Sequence, residues 1–523
     1  MCKNNNEHAF NDELVIRLDS SITLDELVYF SEKNKKVKVA KDVENRVKAS
    51  RDVLSKMVEE GETIYGVNTS MGGFVDKLVP LNKAEELQKN LINAVATNVG
   101  SYFDDHISRA SFLARIISLS KGNSAISLEN FIRMINIYNA GIIPCIPEKG
   151  SLGTSGDLGP LAAIALCLIG QWKVKFNGHI IDAKEALDLA NLEPLSLNYK
   201  EGLALINGTS AMVGLAAVNT LSAEKLLDKY ISISALSIEG FCAKVKPFDP
   251  QVHIFKPHKG QRIISEKLWK YLNNSKMVID EDDLSKELAR TITNEVKSCE
   301  QPIEDGYSIR CTPQILGPIY DNLKFIRETV ENELNSSNDN PLIIPDSNKV
   351  YHNGHFHGQY IAMAMDYLVI SLIVICNLSE RRIDRFLTSS NSNGLPPFLC
   401  KENPGLRLGL MGGQFMSASL TAENRSLATP LSIQTLPTTA GFQDVVSFGL
   451  IASRRAREVL INTRYVIAFE LICACQAVEI RGNEKLSPYG YEVFKSLRNI
   501  VPYLKEDIIL TSYLETVVDE ILQ

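Results

Sequence analysis

Apolar residues recur at helical spacing through most of the chain. Between Ser21 and Gly61 they fall at Leu24, Leu27 and Val28, then at Val43, Val47, Leu54 and Met57, which predicts a largely helical stretch. Glu85–Asn98 and Ser108–Ser120 read as further helices, and an apolar helix is expected over Leu161–Ile169. Longer periodic segments follow at Ala211–Leu236, Leu284–Glu300, Gln314–Leu334, Gln359–Phe386 and Asp444–Val478. Their long apolar faces must be buried against one another, so the pattern predicts a mostly α fold built on a large helical bundle. Strand signals are few: Trp172–Ile181, turning at Asn177-Gly178, predicts one hairpin. No repeat, low-complexity tract or long linker interrupts the chain.

Two stretches break the periodicity. Thr63–Phe74 packs three glycines among small polar residues, and Gly141–Pro160 is a second Gly/Pro-rich loop that leads into the apolar helix. Loops of this composition hold the backbone close to something and often carry function.

Composition narrows the class. With 523 residues, 45% hydrophobic and 22% charged, the chain has material for one large core or two to three smaller ones. A formal net charge of -7 argues against a nucleic acid as the main partner, and Lys33–Lys41 reads as a solvated surface. Met1–Glu13 lacks the apolar stretch of a secretory signal, which sets the expectation of a cytoplasmic protein. The apolar runs Tyr367–Leu378 and Tyr465–Val478 are too short for a bilayer or broken by Glu470, so both are expected as core helices with no membrane span. Ten cysteines are scattered, and Cys473-Ala474-Cys475 is not the spacing of zinc or redox pairs; reduced, mostly buried thiols are expected.

The most informative segment is Gly150-Ser151-Leu152-Gly153-Thr154-Ser155-Gly156-Asp157-Leu158-Gly159-Pro160-Leu161. Its glycines permit strained backbone geometry. If the Gly156 amide nitrogen is pressed onto the Thr154 carbonyl carbon, a five-membered ring closes. Two dehydrations, one removing the Ser155 hydroxyl, then leave an exocyclic methylidene electrophile. Gly156 is needed because a Cβ would hinder the approach, and Ser155 because its hydroxyl is lost; residue 154 contributes only its carbonyl. For an isolated T-S-G, a Gly/Ser turn capping the next helix is the reading that wins in most proteins. A serine-hydrolase elbow fits less well, since the G-x-S-x-G spacing and a nearby partner histidine are missing.

With its flanks, this loop closely resembles the self-forming prosthetic-group motif of the aromatic amino acid ammonia-lyase and aminomutase family, whose usual version reads Ala-Ser-Gly-Asp-Leu. Further motifs match in order. Tyr65-Gly66-Val67-Asn68-Thr69 resembles the loop of the catalytic tyrosine, and Gly202–Thr209 the asparagine segment. Tyr307–Gln314, Asn338-Asp339-Asn340-Pro341-Leu342, Phe356-His357-Gly358 and Gln443-Asp444 continue the resemblance, which spans about Ile64 to Arg481.

The resemblance implies a homotetramer of long helices with each active site assembled from three subunits. It implies no plant-type C-terminal shielding insertion, and a 4-methylideneimidazol-5-one group formed autocatalytically from Thr154-Ser155-Gly156 without any metal. An N-terminal domain over 1–200 is expected to carry the tyrosine loop and the prosthetic group, a central helical bundle 201–482, and a C-terminal helical tail 483–523. Tyr65 takes the place of the base that removes a weakly acidic β-hydrogen; a free phenol titrates near about 10, so amides of the Gly-rich loop are expected to stabilise its phenolate. Arg310 is expected to grip the substrate carboxylate with two hydrogen bonds, and Asn207 and Tyr307 to contact the prosthetic group or the substrate's carboxylate and amine. His352, His355 and His357 form a metal-like spacing. Without a carboxylate to complete a ligand set, a supporting role is expected for them, with His355 replacing a family asparagine and Phe356 lining the pocket.

Family members acting on histidine or tyrosine place a histidine in the helix that here carries Leu91 and Val95. Apolar side chains there leave a phenol or imidazole unsatisfied, so the resemblance implies phenylalanine as substrate. Gln443, where histidine lyases carry glutamate, and the preceding Phe442 point the same way; Leu158, Leu203 and Phe415 complete the expected substrate-binding set. Thr154 in place of alanine, and Ser70-Met71-Gly72-Gly73-Phe74 in place of the common Gly-Phe-Gly, are most similar to the bacterial phenylalanine aminomutases that yield β-phenylalanine. Glu304 departs from the glutamine usual before Asp-x-Tyr. The alternatives are a phenylalanine ammonia-lyase that releases cinnamate and ammonia, and a helical scaffold that has lost the chemistry.

Overall fold

The computed structural model describes residues 12–32, 35–299 and 301–523, so Lys33, Asn34, Glu300 and the polar start through Asn11 lie outside the described residues. The chain packs as two compact units. Unit 1 comprises Met1–Leu221, Ile326–Asp366 and Pro430–Arg455; unit 2 comprises Ser222–Phe325, Tyr367–Thr429 and Ala456–Gln523.

Unit 1 is built around two buried helices. Leu158–Leu168 is apolar on every face and correspondingly buried throughout its length beyond Leu158, starting three residues earlier than expected so that Pro160 falls in the first turn. Asp105–Ser120 is buried from Ile107 onward despite two arginines. Arg109 satisfies its charge on the Ser31 carbonyl at 2.9 Å, and Arg115 on the Ala204 carbonyl at 3.1 Å. The expected hairpin is present as Lys173–Phe176 paired with His179–Asp182, with Asn177 and Gly178 both at positive φ, and it extends onto Ile143–Pro144.

The stretch Ser21–Gly61 is less helical than its apolar spacing predicts. Leu24–Phe30 and Lys41–Glu59 are helices, the first closed by a Thr23/Glu26 capping box. Between them Lys36–Val39 is a strand, parallel to Glu13–Ile16. Lys36-Val37-Lys38-Val39 alternates with period two, and Val37 is buried where its neighbours are not. The helix Leu128–Asn139, capped by Ser127 accepting from the Asn130 amide, was not among the expected elements.

Unit 2 is almost entirely helical. Phe241 and Phe386 stack at 3.7 Å within its core. The predicted helix Leu284–Glu300 is instead Glu281–Thr291, because Ile292 and Val296 are exposed and give a continued helix no face to bury. Asp444–Val478 becomes Gly449–Arg481: Phe448 at φ 56° ends the preceding loop in a left-handed conformation that a helix does not admit. Gln359–Leu387 is long and apolar enough to cross a bilayer by composition, but 72% of that window is buried within the fold, as a core helix requires. Cys473 and Cys475 are free and buried; Cys299 is free and exposed.

Candidate active site

The loop before Leu158–Leu168 is held by its backbone at both ends. The Phe448 amide donates to the Leu152 carbonyl at 2.9 Å and the Ser447 hydroxyl to the Gly153 carbonyl at 3.0 Å. Further on, Gly156 and Gly208 form a parallel bridge in which the Gly208 amide donates to the Ser155 carbonyl at 3.3 Å and the Asp157 amide to the Gly208 carbonyl at 2.8 Å. Both glycines are obligatory. Gly156 lies at φ 70°, and a Cβ there would stand 1.9 Å from the Gly208 oxygen. A Cβ on Gly208 would stand 2.4 Å from Arg115 Nη1 and Asn338 Oδ1.

The bridge engages the peptide groups on either side of Gly156 and leaves the Gly156 nitrogen itself out of the pairing, which is the atom a ring closure onto Thr154 requires. Asp157 anchors the far side. Fully buried, it accepts from the Met212 amide at 2.7 Å and from the Ser151 hydroxyl at 2.9 Å. Burial outweighs those bonds and pushes its carboxyl up to about 7.

Ser155 turns its hydroxyl toward Gln443, whose side-chain nitrogen donates to it at 3.0 Å. The Gln443 oxygen accepts from the hydroxyls of Thr438 at 3.0 Å and Thr439 at 2.9 Å, which fixes the amide with its donor face toward Ser155. Asn207, at the end of the helix Glu201–Ile206, donates to the Asn340 carbonyl at 3.1 Å, while its own oxygen is buried with no hydrogen-bond partner among the described residues. Beneath it Asn338 accepts from Arg115 at 3.2 Å, and Asp339 pairs with Lys200 at 2.6 Å with both side chains fully buried. Burial holds the Arg115 guanidinium at about 10 and depresses Lys200, the charge of Asp339 opposing both shifts.

Tyr65 reaches the site on the first irregular loop. Its phenol oxygen accepts from the Gly72 amide at 3.0 Å, the loop-amide contact expected of it, and its backbone amide donates to His352 Nε2 at 3.2 Å. Burial raises the phenol above its ordinary value and the Gly72 bond lowers it by less. Gln88 ties the loop down, donating to the Gly66 carbonyl at 3.1 Å while accepting from the Leu203 amide at 2.9 Å. The remaining histidines have separate partners: His357 bonds the Val445 carbonyl at 3.2 Å, and the His355 backbone rests on Asn353.

These groups enclose a cavity of about 620 Å³. Of the expected residues, Tyr65, Ser155, Asn207 and Gln443 add polar groups to its lining, and Leu91, Val95, Leu158, Leu203, Phe356 and Phe442 add apolar ones. Met71, Thr439, Asn340 and His352 also line it and were not anticipated as site residues. The sequence signal for Thr438 and Thr439 is a hydroxyl pair five and four residues before Gln443, meaningful only once the chain turns there with Thr439 and Ala440 at positive φ.

Five expected residues are not in this lining: Thr154 and Gly156, which flank Ser155 in its loop, and Tyr307, Arg310 and Phe415, which belong to unit 2. Tyr307–Arg310 is one helical turn braced by the buried Arg382, which donates to the Ser308 carbonyl at 2.8 Å and the Thr312 hydroxyl at 2.7 Å. Arg310 lies over the Tyr307 ring at 5.0 Å and pairs with Glu304 at 2.9 Å. Tyr307 and Phe415 are 70% and 68% exposed.

A profile of the aromatic amino acid lyase family matches residues 22–499. The chain belongs to that family. It is 41% identical over 474 residues to a histidine ammonia-lyase of Bacillus velezensis, covering 91% of this chain and 89% of that one. The solved structure of Pantoea agglomerans phenylalanine aminomutase superposes with a TM-score of 0.96 at 55% identity, covering 98% and 99% of the two chains. Tyrosine aminomutase from Streptomyces globisporus superposes with a TM-score of 0.93 at 36% identity, covering 98% and 97%. The helical fold is thus that of ammonia-lyases and aminomutases, and the chain is an enzyme of that group.

Proposed function

We propose that the protein is a phenylalanine aminomutase, converting L-α-phenylalanine to β-phenylalanine through cinnamate. The observation that carries this reading is the placing of Ser155, in a bend only glycine can complete, on the wall of a cavity that Leu91, Val95, Leu158, Leu203 and Phe356 also line. The residues fit the family's prosthetic group: the Gly156 nitrogen is outside the backbone bridge, the Ser155 hydroxyl has a donor, and the buried Asn207 oxygen lacks a partner among the described residues. Formed from Thr154-Ser155-Gly156, 4-methylideneimidazol-5-one would supply an uncharged electrophile that makes the substrate amine a leaving group.

The chain's own residues do the rest. Tyr65 holds and moves the β-proton, its oxygen steadied by the Gly72 amide. The apolar walls bury the phenyl ring and exclude water, and they offer no donor or acceptor to a phenol. Asn207 presents a polar group where charge develops. Arg310 anchors the substrate carboxylate and Tyr307 assists it. We place both, with Phe415, in the site through a homotetramer whose active sites draw on three copies of the chain; the exposure of Tyr307 and Phe415 supports a surface that association covers.

The histidine ammonia-lyase relatives favour a second reading, histidine as substrate. Separate incubations with L-phenylalanine, L-tyrosine and L-histidine decide between them. β-Phenylalanine from the first alone is expected; cinnamate and ammonia without β-phenylalanine would make the protein a lyase, and urocanate would move it to the histidine enzymes.

A further inference from the structure

We propose that Glu304 is a built-in competitor for Arg310, loosening the hold of the site on carboxylates and so on the unsaturated acid formed part-way through the reaction. This rests on Arg310 being the carboxylate anchor.

Glu304 Oε2 lies 2.9 Å from Arg310 Nη2, while Arg310 Nε is buried and has no hydrogen-bond partner among the described residues. Nε and Nη2 form one edge of the guanidinium, an edge that takes a carboxylate through two parallel bonds. Glu304 is paired with the guanidinium through Nη2 and leaves Nε empty. A second carboxylate arriving there has to displace Glu304 or sit beside its negative charge, and either event weakens binding.

The frame keeps the two residues within reach of each other. Asp305, between them, is buried and accepts from the Lys244 amide at 2.7 Å and its ammonium at 3.2 Å. Arg382 fixes Ser308 and Thr312 on the other side. Gly306 lies so close to Arg385 that a Cβ would stand 2.2 Å from Nη2. Glu304 itself is exposed, with 60% of its side chain accessible, so it can swing away when a ligand carboxylate replaces it.

The test is E304Q in the full-length protein, with E304D as the charge-retaining control, measuring KM for L-phenylalanine and Ki for trans-cinnamate. Cinnamate carries the carboxylate without the amine, so it isolates the Arg310 contact. Relief of competition lowers KM and Ki together in E304Q, by roughly two- to fivefold for a partly exposed ion pair, and leaves E304D near the native values. An unchanged or higher Ki in E304Q overturns the proposal. So does a weakened KM with unchanged Ki, which would assign Glu304 to the substrate ammonium. Native protein with neither turnover nor cinnamate binding would overturn the functional reading itself, an outcome distinct from active enzyme with an unmoved Ki.

Discussion

The side-chain amide of Gln443 donates to the hydroxyl of Ser155 at 3.0 Å, and it is held in that orientation by two threonine hydroxyls on its oxygen. In the proposed dehydration of the loop, this donor is aimed at the group that leaves. Gln443→Leu keeps the volume and removes the donor. Dehydration of the loop is then expected to slow by roughly five- to tenfold, the worth of one neutral hydrogen bond. Intact mass followed from the time of expression reads this directly, and dehydration as fast as in the native chain would remove Gln443 from the process.

In the proposed reaction Tyr65 is the group that sets the pH dependence. Burial raises its phenol above the ordinary value, so less phenolate is present at neutral pH than for a free tyrosine. If the phenolate is the base, kcat/KM rises with pH through the alkaline range until another group titrates. Tyr65→Phe loses activity by about 10²-fold or more with the loop still dehydrated. A profile that falls on the alkaline side of neutrality, or near-native turnover in Tyr65→Phe, would exclude this role.

Asp157 links stability to pH. Its carboxyl is raised from 3.8 to about 7 in the folded chain, so the native state binds this proton more tightly than the unfolded state. The stability it contributes is fully present below about 4 and is lost as pH rises through about 7. Thermal unfolding of native protein and Asp157→Asn across that window is expected to show the native advantage shrinking as pH rises; an advantage that grows would reverse the assignment.

Lys200 and Asp339 form a fully buried pair under the Asn207–Asn340 contact. Removing one partner strands a charge in the core, so Asp339→Ala is expected to destabilise the protein by roughly 3–5 kcal/mol. Denaturant unfolding measures it, and a loss under about 1 kcal/mol would show that Lys200 finds another partner or sheds its proton at little cost.

How much of this was legible in the chain differs by scale. The long helices and the two irregular loops were, because a 3.6-residue apolar period and runs of glycine are local signals. Lys36–Val39 shows its period of two over only four residues, too short a signal to stand out between two helical patterns. The end at Thr291 depends on what Ile292 and Val296 have to pack against, which local sequence does not carry. In the site, Tyr65, Ser155, Asn207 and Gln443 were named from ordered motifs, and they line one cavity. Gln88, Thr438 and Thr439 were not, since their bonds to Gly66 and Gln443 exist only after distant turns bring them there.

The proposed covalent change at Thr154–Gly156 alters the mass of the chain. A proteolytic peptide spanning Thr154–Gly156 from the native protein is expected to be lighter than its sequence by two waters, and the same peptide from Ser155→Ala to lack that loss. A native peptide of full, unmodified mass would contradict the account.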